Sequence, residues 1–504
     1  MNFLELLDGA ECLAQQGNPR IAGLDYDSRR VKPGWCFVAM HGETTDGNRY
    51  IDAALHAGAV AVVSDVLPPR PNVAWAQVIH GRRALARLSA NFYGRPAERL
   101  AITGITGTNG KTTTSFLLQA MFRAGGRKAV LLGTVEYRIG DELLPAPHTT
   151  PEALELNQLF ARAVGADCTE VAMEVSSHAL EQQRIYGVPF DVAVFTNLTR
   201  DHLDYHRTME EYFASKTILF QGCGTEPPRV AVINLEDEYG QRLLKLCRKQ
   251  TELITYGIDR GDLHAKNLSI ENSGVKFTMI TPQGEIPIWS PLLGRVNVYN
   301  LLAASAAAYA RDIKPAAIAE AAEQLSRVAG RFERVDAGQP FTVIVDYAHT
   351  DDALRNLTAV ARDFLAQSGG HGRVTTVFGC GGDRDRSKRP MMGEAAGSGS
   401  DFVVLTSDNP RGENPLDIMN DALPGLQRSG ARYTMEPDRR KAIALAIGEA
   451  QPGDIVLIAG KGHEKVQVTS AGAVPFDDIA EARNALRDAG CGAPLPVEAA
   501  NHEA

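Results

Sequence analysis

Gly107-Thr108-Asn109-Gly110-Lys111-Thr112-Thr113 follows an apolar run at residues 100–105 and opens a helical window at 111–123. Strand, glycine-bearing loop and helix in that order form the setting of a phosphate loop. Glycines let successive backbone N–H groups turn inward on a phosphate, and the helix N-terminus adds partial positive charge. Lys111 is spaced to reach terminal phosphates, and the Thr112 hydroxyl to ligate Mg²⁺. The spacing departs from a full Walker A motif. Ile105 stands five residues before Gly110, where that motif wants glycine, and Gly104 and Gly107 flank the position. A glycine-rich surface turn is the competing reading, and the strand before and helix after weigh against it.

Outward from this loop, strand-like and helix-like windows alternate. Apolar runs at 129–132, 170–175, 192–196 and 230–233 are separated by helical windows, which implies right-handed βαβ units and a parallel sheet. Residues 263–289 read as antiparallel hairpins turning near Ser273-Gly274 and Gln283-Gly284, and residues 297–310, rich in Ala and Leu, as a buried helix. Alternation restarts with runs at 341–345, 374–378, 402–405 and 454–458. Polar loops follow them at Asp346, Gly379, Thr406 and Gly460, the carboxyl ends where such folds place their active groups. Before residue 95, runs at 35–40 and 59–63 flank a helical stretch at 50–57, and Pro68-Pro69-Arg70-Pro71 reads as a loop. The expected fold is therefore α/β in three domains. Residues 1–95 form a small α/β domain. Residues 96–328 form a P-loop-type, mostly parallel domain with a small antiparallel part. Residues 329–504 form a Rossmann-like α/β domain, with a frayed tail after Pro494.

A chain of 504 residues buries large cores without staples. A net charge of −9 disfavours a nucleic-acid coat, which needs massed Lys and Arg. No window of about 18 uncharged apolar residues occurs, so no membrane insertion is expected. Met1-Asn2-Phe3-Leu4-Glu5 lacks a basic n-region, so no secretory signal is expected. Seven scattered cysteines without a C-x-x-C pair suit a reducing cytoplasm.

Further candidates lie beyond the loop. Glu174 ends an apolar strand, where a carboxylate would face the phosphates and hold Mg²⁺. His202, in Asp201-His202-Leu203-Asp204, is an unusual Mg²⁺ neighbour, and alone reads as a hydrogen-bonded loop histidine. Lys216 alone reads as a solvated helix lysine.

Taken together, these residues resemble the Mur ligase family, the ATP-dependent amino-acid ligases of peptidoglycan synthesis. The phosphate loop, Met173-Glu174-Val175-Ser176-Ser177-His178, Asn197-Leu198-Thr199-Arg200-Asp201-His202-Leu203-Asp204 and Asp346-Tyr347-Ala348-His349-Thr350 are similar to its motifs. The patches Thr406-Ser407-Asp408-Asn409-Pro410-Arg411 and Ala459-Gly460-Lys461-Gly462-His463-Glu464 are similar to those of members that add meso-2,6-diaminopimelate to UDP-N-acetylmuramoyl-L-Ala-D-Glu. The resemblance implies ATP, two Mg²⁺ ions and a CO₂-derived carbamate on Lys216, which turns a repelling ammonium into an anionic oxygen ligand. Glu174, His202 and carbamylated Lys216 would share one ion, and Thr112 would take the other. Lys111, Glu174, His202 and Lys216 would be the catalytic set. Asn297, Asn300, Arg331 and Asp346 would touch the nucleotide, although Asn297 and Asn300 also read as helix caps.

Tyr26 and Ser28, in Tyr26-Asp27-Ser28-Arg29, and Asp46-Gly47 would grip the uridine nucleotide. Thr149, Thr150, Ser176, Gln182 and Arg184 would hold the dipeptide. Arg384, Asp408, Asn409, Pro410, Arg411, Gly460 and Glu464 would receive the amino acid. Asp408-Asn409-Pro410-Arg411 also reads as a type I turn that aims Arg411. The chain departs from the family pattern at His148, at Thr350-Asp351-Asp352 and at Ala329-Gly330-Arg331, and none of these removes a needed charge. The implied partners are small molecules, with no nucleic acid and no membrane insertion, and the chain is expected to be a cytoplasmic monomer. A relative adding L-lysine, or glutamate to folate, and an ATP-gated switch are the alternatives. The Asp-Asn-Pro-Arg patch argues against the first two, and the Glu174, His202 and Lys216 set against the switch.

Overall fold

The structure is a computed structural model that describes residues 1–42, 45–66, 73–247 and 249–491. The Pro68–Pro71 stretch and the tail after Pro494 lie outside the described residues.

The central sheet explains the position of the phosphate loop. Its eight strands run, in spatial order, Glu252–Tyr256, Val230–Asn234, Phe190–Phe195, Ala101–Thr106, Glu170–Glu174, Ala129–Leu132, Tyr137–Ile139 and Glu142–Leu144. The first six are parallel, and the last two form an antiparallel hairpin on the edge. Parallel strands covered on both faces read as continuous apolar runs, and Val230–Asn234 is buried at all five positions. From Ala101–Thr106 the chain first fills one side of the sheet and then crosses to the other. The loop at 107–110 therefore opens at a switch point on the carboxyl edge, where ligands bind in such sheets. The helix Arg295–Ala310 packs beside the phosphate-loop helix Lys111–Ala124. Its second half, from Leu301 to Ala308, is buried on every side with Ser305 the one polar residue, while its first turn, at Arg295 and Val296, reaches the surface.

Three antiparallel strands, His264–Glu271, Gly274–Thr281 and Gly284–Ser290, turn near Ser273 and Gln283 as the sequence indicates. The first sheet has the order Cys12–Gln16, Ala74–Val78, Ala61–Ser64, Trp35–Ala39, Gly23–Asp25. The last has the order Glu333–Val335, Thr342–Asp346, Ile455–Ala459, Val374–Phe378, Phe402–Leu405, Arg432–Met435, parallel except for Glu333–Val335. A short ribbon, Val466–Thr469 with Gly472–Pro475, follows it. The Arg411 backbone N–H donates to the Val468 carbonyl, so the ribbon supports the 408–411 segment.

One buried ion pair fastens the strand ends that carry the amino-acid candidates. Arg439 and Asp478, both inaccessible to solvent, pair at 2.6 Å. The same guanidinium donates to the carbonyls of Ala459, at 3.0 Å, and Ser407, at 3.4 Å. Removing one member leaves a buried charge, at a cost of about 3–5 kcal/mol. Asp478→Ala should therefore lower the unfolding free energy of the domain built on the six-stranded sheet by that amount, read by urea titration. A loss below about 1 kcal/mol would contradict the assignment.

Candidate active site

The phosphate loop takes shape because its glycines accept conformations and contacts that other residues refuse. Gly107 has φ +146° and Gly110 has φ +88°. A Cβ on Gly107 would stand 1.9 Å from Thr196 Oγ1. The loop is cross-braced to the neighbouring strand end. Asn109 N–H donates to Asn197 Oδ1 at 2.9 Å, and Thr196 Oγ1 donates to the Asn109 carbonyl at 2.7 Å.

Lys111 Nζ curls over its own loop, donating to the carbonyls of Gly107 (2.9 Å) and Thr108 (2.8 Å). Lys216 projects from the helix Met209–Gln221 and donates to the same Gly107 carbonyl at 2.9 Å. Its side chain is buried, not solvated as the residue alone suggests. Burial drives its pKa well below the ordinary lysine value, and the Lys111 charge adds to the effect. Burial likewise lowers the Lys111 pKa.

Glu174 is fully buried at the end of its strand. Its carboxylate accepts from Thr112 Oγ1 (3.1 Å), Thr134 N–H (2.8 Å) and Thr134 Oγ1 (3.0 Å). His202 sits at φ +54° with Nε2 3.3 Å from Asp201 Oδ2. Burial and the neighbouring His178 pull its pKa down to about 3, against the Asp201 charge. Among the described residues no three His, Cys, Asp or Glu side chains form a ready metal group. The oxygens of Glu174 and Thr112 suit Mg²⁺, whereas Lys216 suits it only as an anion.

A cavity of about 370 Å³ adjoins the loop. Asn109, Gly110, Thr112 and Thr113 line one side, and Arg331 and Asp346 the other. Arg331 Nη2 donates to Thr112 Oγ1 at 3.0 Å, and Asn109 Nδ2 donates to Asp352 Oδ2 at 2.7 Å. These two bonds join segments beside the six-stranded sheet to the phosphate loop and its helix. Asn297 and Asn300 line the cavity too. They do not cap the helix, whose N-cap is Gly294; Asn297 Nδ2 donates to the Leu293 carbonyl at 2.8 Å and Asn300 Nδ2 to Asn297 Oδ1 at 2.9 Å. Sequence reasoning missed the apolar wall of Leu292, Val296, Tyr299 and Val360, and also Glu236. Glu236 accepts from Tyr299 Oη at 2.6 Å. It follows the carboxyl end of Val230–Asn234, a position that could have flagged it.

The dipeptide candidates gather beside Glu174. Thr150 Oγ1 donates to the Glu174 carbonyl (2.9 Å) and accepts from the Ser176 N–H (3.1 Å). Thr149 Oγ1 lies 3.1 Å from Thr134 Oγ1. Arg184 donates to the Thr150 carbonyl (3.0 Å) and to Gln182 Oε1 (2.6 Å), and pairs with Glu152 at 2.8 Å. Thr134 carried no motif and was missed. Tyr26 lies apart from this group, its hydroxyl donating to Glu155 at 3.2 Å, and Ser28 is half-buried two residues on.

The amino-acid candidates meet at the carboxyl edge of the six-stranded sheet. Asn409 Nδ2 donates to Glu464 Oε2 at 2.9 Å, and Lys461 Nζ donates to the same oxygen at 2.8 Å. Gly460, at φ +120°, brings Asp408 close to its backbone. Arg411 Nη1 and Arg384 Cγ both border Gly381. The turn here is displaced from the one expected. It starts at Pro410, whose carbonyl accepts from Glu413 N–H at 3.0 Å, and Arg411 occupies a left-handed conformation at φ +52°. The Arg411 N–H, which would close a turn onto Asp408, donates instead to the Val468 carbonyl, and the Asn409 side chain is held by Lys461, Glu464 and the Val468 N–H.

Three profiles match the chain: "Mur ligase family, catalytic domain" at 20–93, "Mur ligase middle domain" at 105–308 and "Mur ligase, glutamate ligase domain" at 330–462. A UDP-N-acetylmuramoyl-L-alanyl-D-glutamate–2,6-diaminopimelate ligase from Solibacter usitatus is 52% identical, covering 97% of this chain and 99% of its own. A solved structure of a ligase with that same name is 35% identical with a TM-score of 0.66, covering 97% of this chain and 99% of its own. The MurF ligase of Thermotoga maritima in complex with ADP shares the fold at 18% identity and TM-score 0.61, covering 92% of this chain and 97% of its own. The chain belongs to the Mur ligase family. It is an ATP-dependent ligase of three α/β domains, as its motifs indicate.

Ligand at about 100 times its Kd stabilises a protein by roughly 2.7 kcal/mol. Saturating ADP with Mg²⁺ should accordingly raise the melting temperature of the wild type. In Gly107→Ala, whose new Cβ collides with Thr196, that rise should vanish; an undiminished shift would contradict the loop's role.

Proposed function

We propose that this chain joins meso-2,6-diaminopimelate to the D-Glu carboxylate of UDP-N-acetylmuramoyl-L-Ala-D-Glu through an acyl phosphate. One observation carries the choice of amino acid. Arg384 and Arg411 share the rim of Gly381, and among the described residues neither has a carboxylate within 4.0 Å, whereas their neighbours Arg386 and Arg389 both pair with Glu413. Burial and the nearby Arg384 lower the Arg411 pKa, against the pull of the more distant Asp408, Glu464 and Asp383 carboxylates. A ligand carboxylate answers that charge, and a guanidinium fork holds it bidentately. Glu464 Oε2 is occupied by Asn409 and Lys461, leaving Oε1 for the ligand's distal ammonium. Lysine lacks the second carboxylate and would leave the charge unpaired, a mismatch that polar sites reject by roughly 10⁴–10⁵.

A carboxylate is a poor electrophile, so it must first be activated. A D-Glu carboxylate oxygen attacks the γ-phosphorus of ATP in line, and ADP leaves. The diaminopimelate amine then attacks the acyl carbon, and phosphate departs with the former carboxylate oxygen. Arg184, Gln182, Thr149, Thr150 and Ser176 position the acid. Lys111 and Arg331 balance charge on the transferring group. Glu174, His202, Thr112 and a carbamylated Lys216 would hold Mg²⁺, which supplies further charge neutralisation. Lys216 supports this because a buried, neutral amine is the form that takes up CO₂. The adenine lies between Leu292, Val296, Tyr299 and Val360, near Asn297 and Asn300. Tyr26 and Ser28 face the uridine end. The segments at 331 and 352, bonded to Thr112 and Asn109, shield the acyl phosphate from water together with the Asp346 loop between them. The reaction takes place in the cytoplasm, on soluble substrates, in a single chain.

Phosphate release from ATP, Mg²⁺ and the UDP-dipeptide should require diaminopimelate and fail with lysine; release with lysine, or without any amino acid, would refute the reading. Arg411→Ala should raise the diaminopimelate KM by about 100-fold, in line with the loss of a charged hydrogen-bond pair, with little change in the ATP KM. Equal increases in both would contradict its role. Lys216→Ala should cut turnover at least about 10³-fold, and millimolar acetate or formate should restore part of it if the carbamate supplies the missing oxygens. Wild-type turnover in that variant would remove Lys216 from the site.

A further inference from the structure

Arg389 is fully buried although it carries a charge. It stands at the start of the helix Arg389–Gly399, just beyond the loop that holds Arg384. Its guanidinium grips Glu413, with Nη2 at 2.7 Å from Oε1 and Nη1 at 3.1 Å from Oε2. Nη1 also reaches Asp421 Oδ2 at 2.9 Å, and Nη2 the Gly381 carbonyl at 3.2 Å. Glu413 in turn accepts from the Asp383 N–H and from Arg386 Nη2, the latter at 2.7 Å. Asp383 Oδ2 closes the ring by accepting from the Gly412 N–H at 2.9 Å.

These bonds join two separate segments. The 379–386 loop follows the strand Val374–Phe378, and the 406–413 segment follows the strand Phe402–Leu405. Pairing of the two strands ends at Phe378 and Leu405, so sheet register does not fix the loops relative to each other. Two further links add to the ring: the Gly382 N–H donates to the Asn409 carbonyl (2.9 Å), and the Arg411 guanidinium donates through Nη1 to the Gly382 carbonyl (2.8 Å). Asp383 and Arg411 both hold left-handed backbones, at φ +51° and +52°. L-residues adopt that region where the surroundings impose it.

We propose that the Arg389–Glu413 pair is a positioning clamp that sets the separation and aim of Arg384 and Arg411, and thereby selects an amino acid with a distal carboxylate. This rests on the reading of the amino-acid site given above. The charge balance fits the role. Glu413 and Asp421 supply the two negative charges that match Arg386 and Arg389, so neither carboxylate is available to Arg384 or Arg411. Hydrogen bonds from Arg389 hold the Glu413 carboxyl down to about 2, so the clamp is ionised at neutral pH. A charged clamp also resists sliding, because moving either loop would strand a buried guanidinium.

The test is steady-state kinetics of the full-length protein, with each substrate varied in turn, on the wild type, Glu413→Gln, Glu413→Asp and Asp383→Ala. Glu413→Gln keeps the shape and the acceptor for the Asp383 N–H but loses the charge. It should raise the diaminopimelate KM at least 10-fold while the KM values for ATP and the UDP-dipeptide stay within twofold. The preference for diaminopimelate over lysine should fall in the same proportion, and Glu413→Asp should recover part of it. Asp383→Ala lies on the exposed side of the ring and should show the same split, at a smaller magnitude, even if Glu413→Gln fails to fold. Unchanged diaminopimelate KM in folded Glu413→Gln or Asp383→Ala, or equal increases for all three substrates, would overturn the clamp. A wild type that ignores diaminopimelate would instead overturn the reading of the site itself.

Discussion

Two lysine side chains donate to one carbonyl oxygen, and the rest of the site follows from that crowding. Lys111 and Lys216 both reach Gly107, in surroundings that drive the Lys216 pKa far down. One carbonyl cannot neutralise two ammonium groups, and buried charge that is not paired is costly. In the proposed reading, phosphate would answer the first lysine, and a carbamate on the second would replace repulsion with an anionic oxygen able to ligate Mg²⁺. Glu174, held by three hydrogen bonds from Thr112 and Thr134, stands ready beside them.

The architecture brings three chemistries to that point through a single rule, that α/β sheets present their active groups at strand carboxyl ends. Ala101–Thr106 delivers the phosphate loop, Glu170–Glu174 delivers the carboxylate, and Thr342–Asp346 and Ile455–Ala459 deliver the loops of the third domain. Polar contacts tie the third domain to the central one, with Arg331 to Thr112, Asn109 to Asp352 and Lys388 to Asp201 among them. Such bonds form and break more readily than apolar packing, which suits a lid that must admit ATP and release ADP.

The parts of the site legible in the sequence were those whose chemistry is local. The phosphate loop announced itself through glycine spacing between a strand and a helix, and Glu174 through its place at a strand end. Lys216 was opaque to physical reasoning, since its burial depends on a helix packed against a loop more than 100 residues earlier; only family resemblance marked it. Thr134 and the apolar adenine wall carried no residue type that stands out, because their roles come from tertiary placement. The edge strand Cys12–Gln16 escaped notice because it is mostly exposed and lacks an apolar alternation. The turn at Pro410 was read two residues early because Asp and Asn before Pro favour a turn locally. Tertiary bonds to the Asn409 side chain override that preference.

The central claim is that the acid oxygen of the dipeptide is handed to phosphorus before the amide forms. Isotope tracing tests it most directly. The UDP-dipeptide, labelled with ¹⁸O in the D-Glu γ-carboxylate, is turned over with ATP and diaminopimelate, and the released phosphate is weighed by mass spectrometry. The account predicts one ¹⁸O atom in each phosphate formed. Phosphate free of the label, alongside normal amide formation, would contradict it.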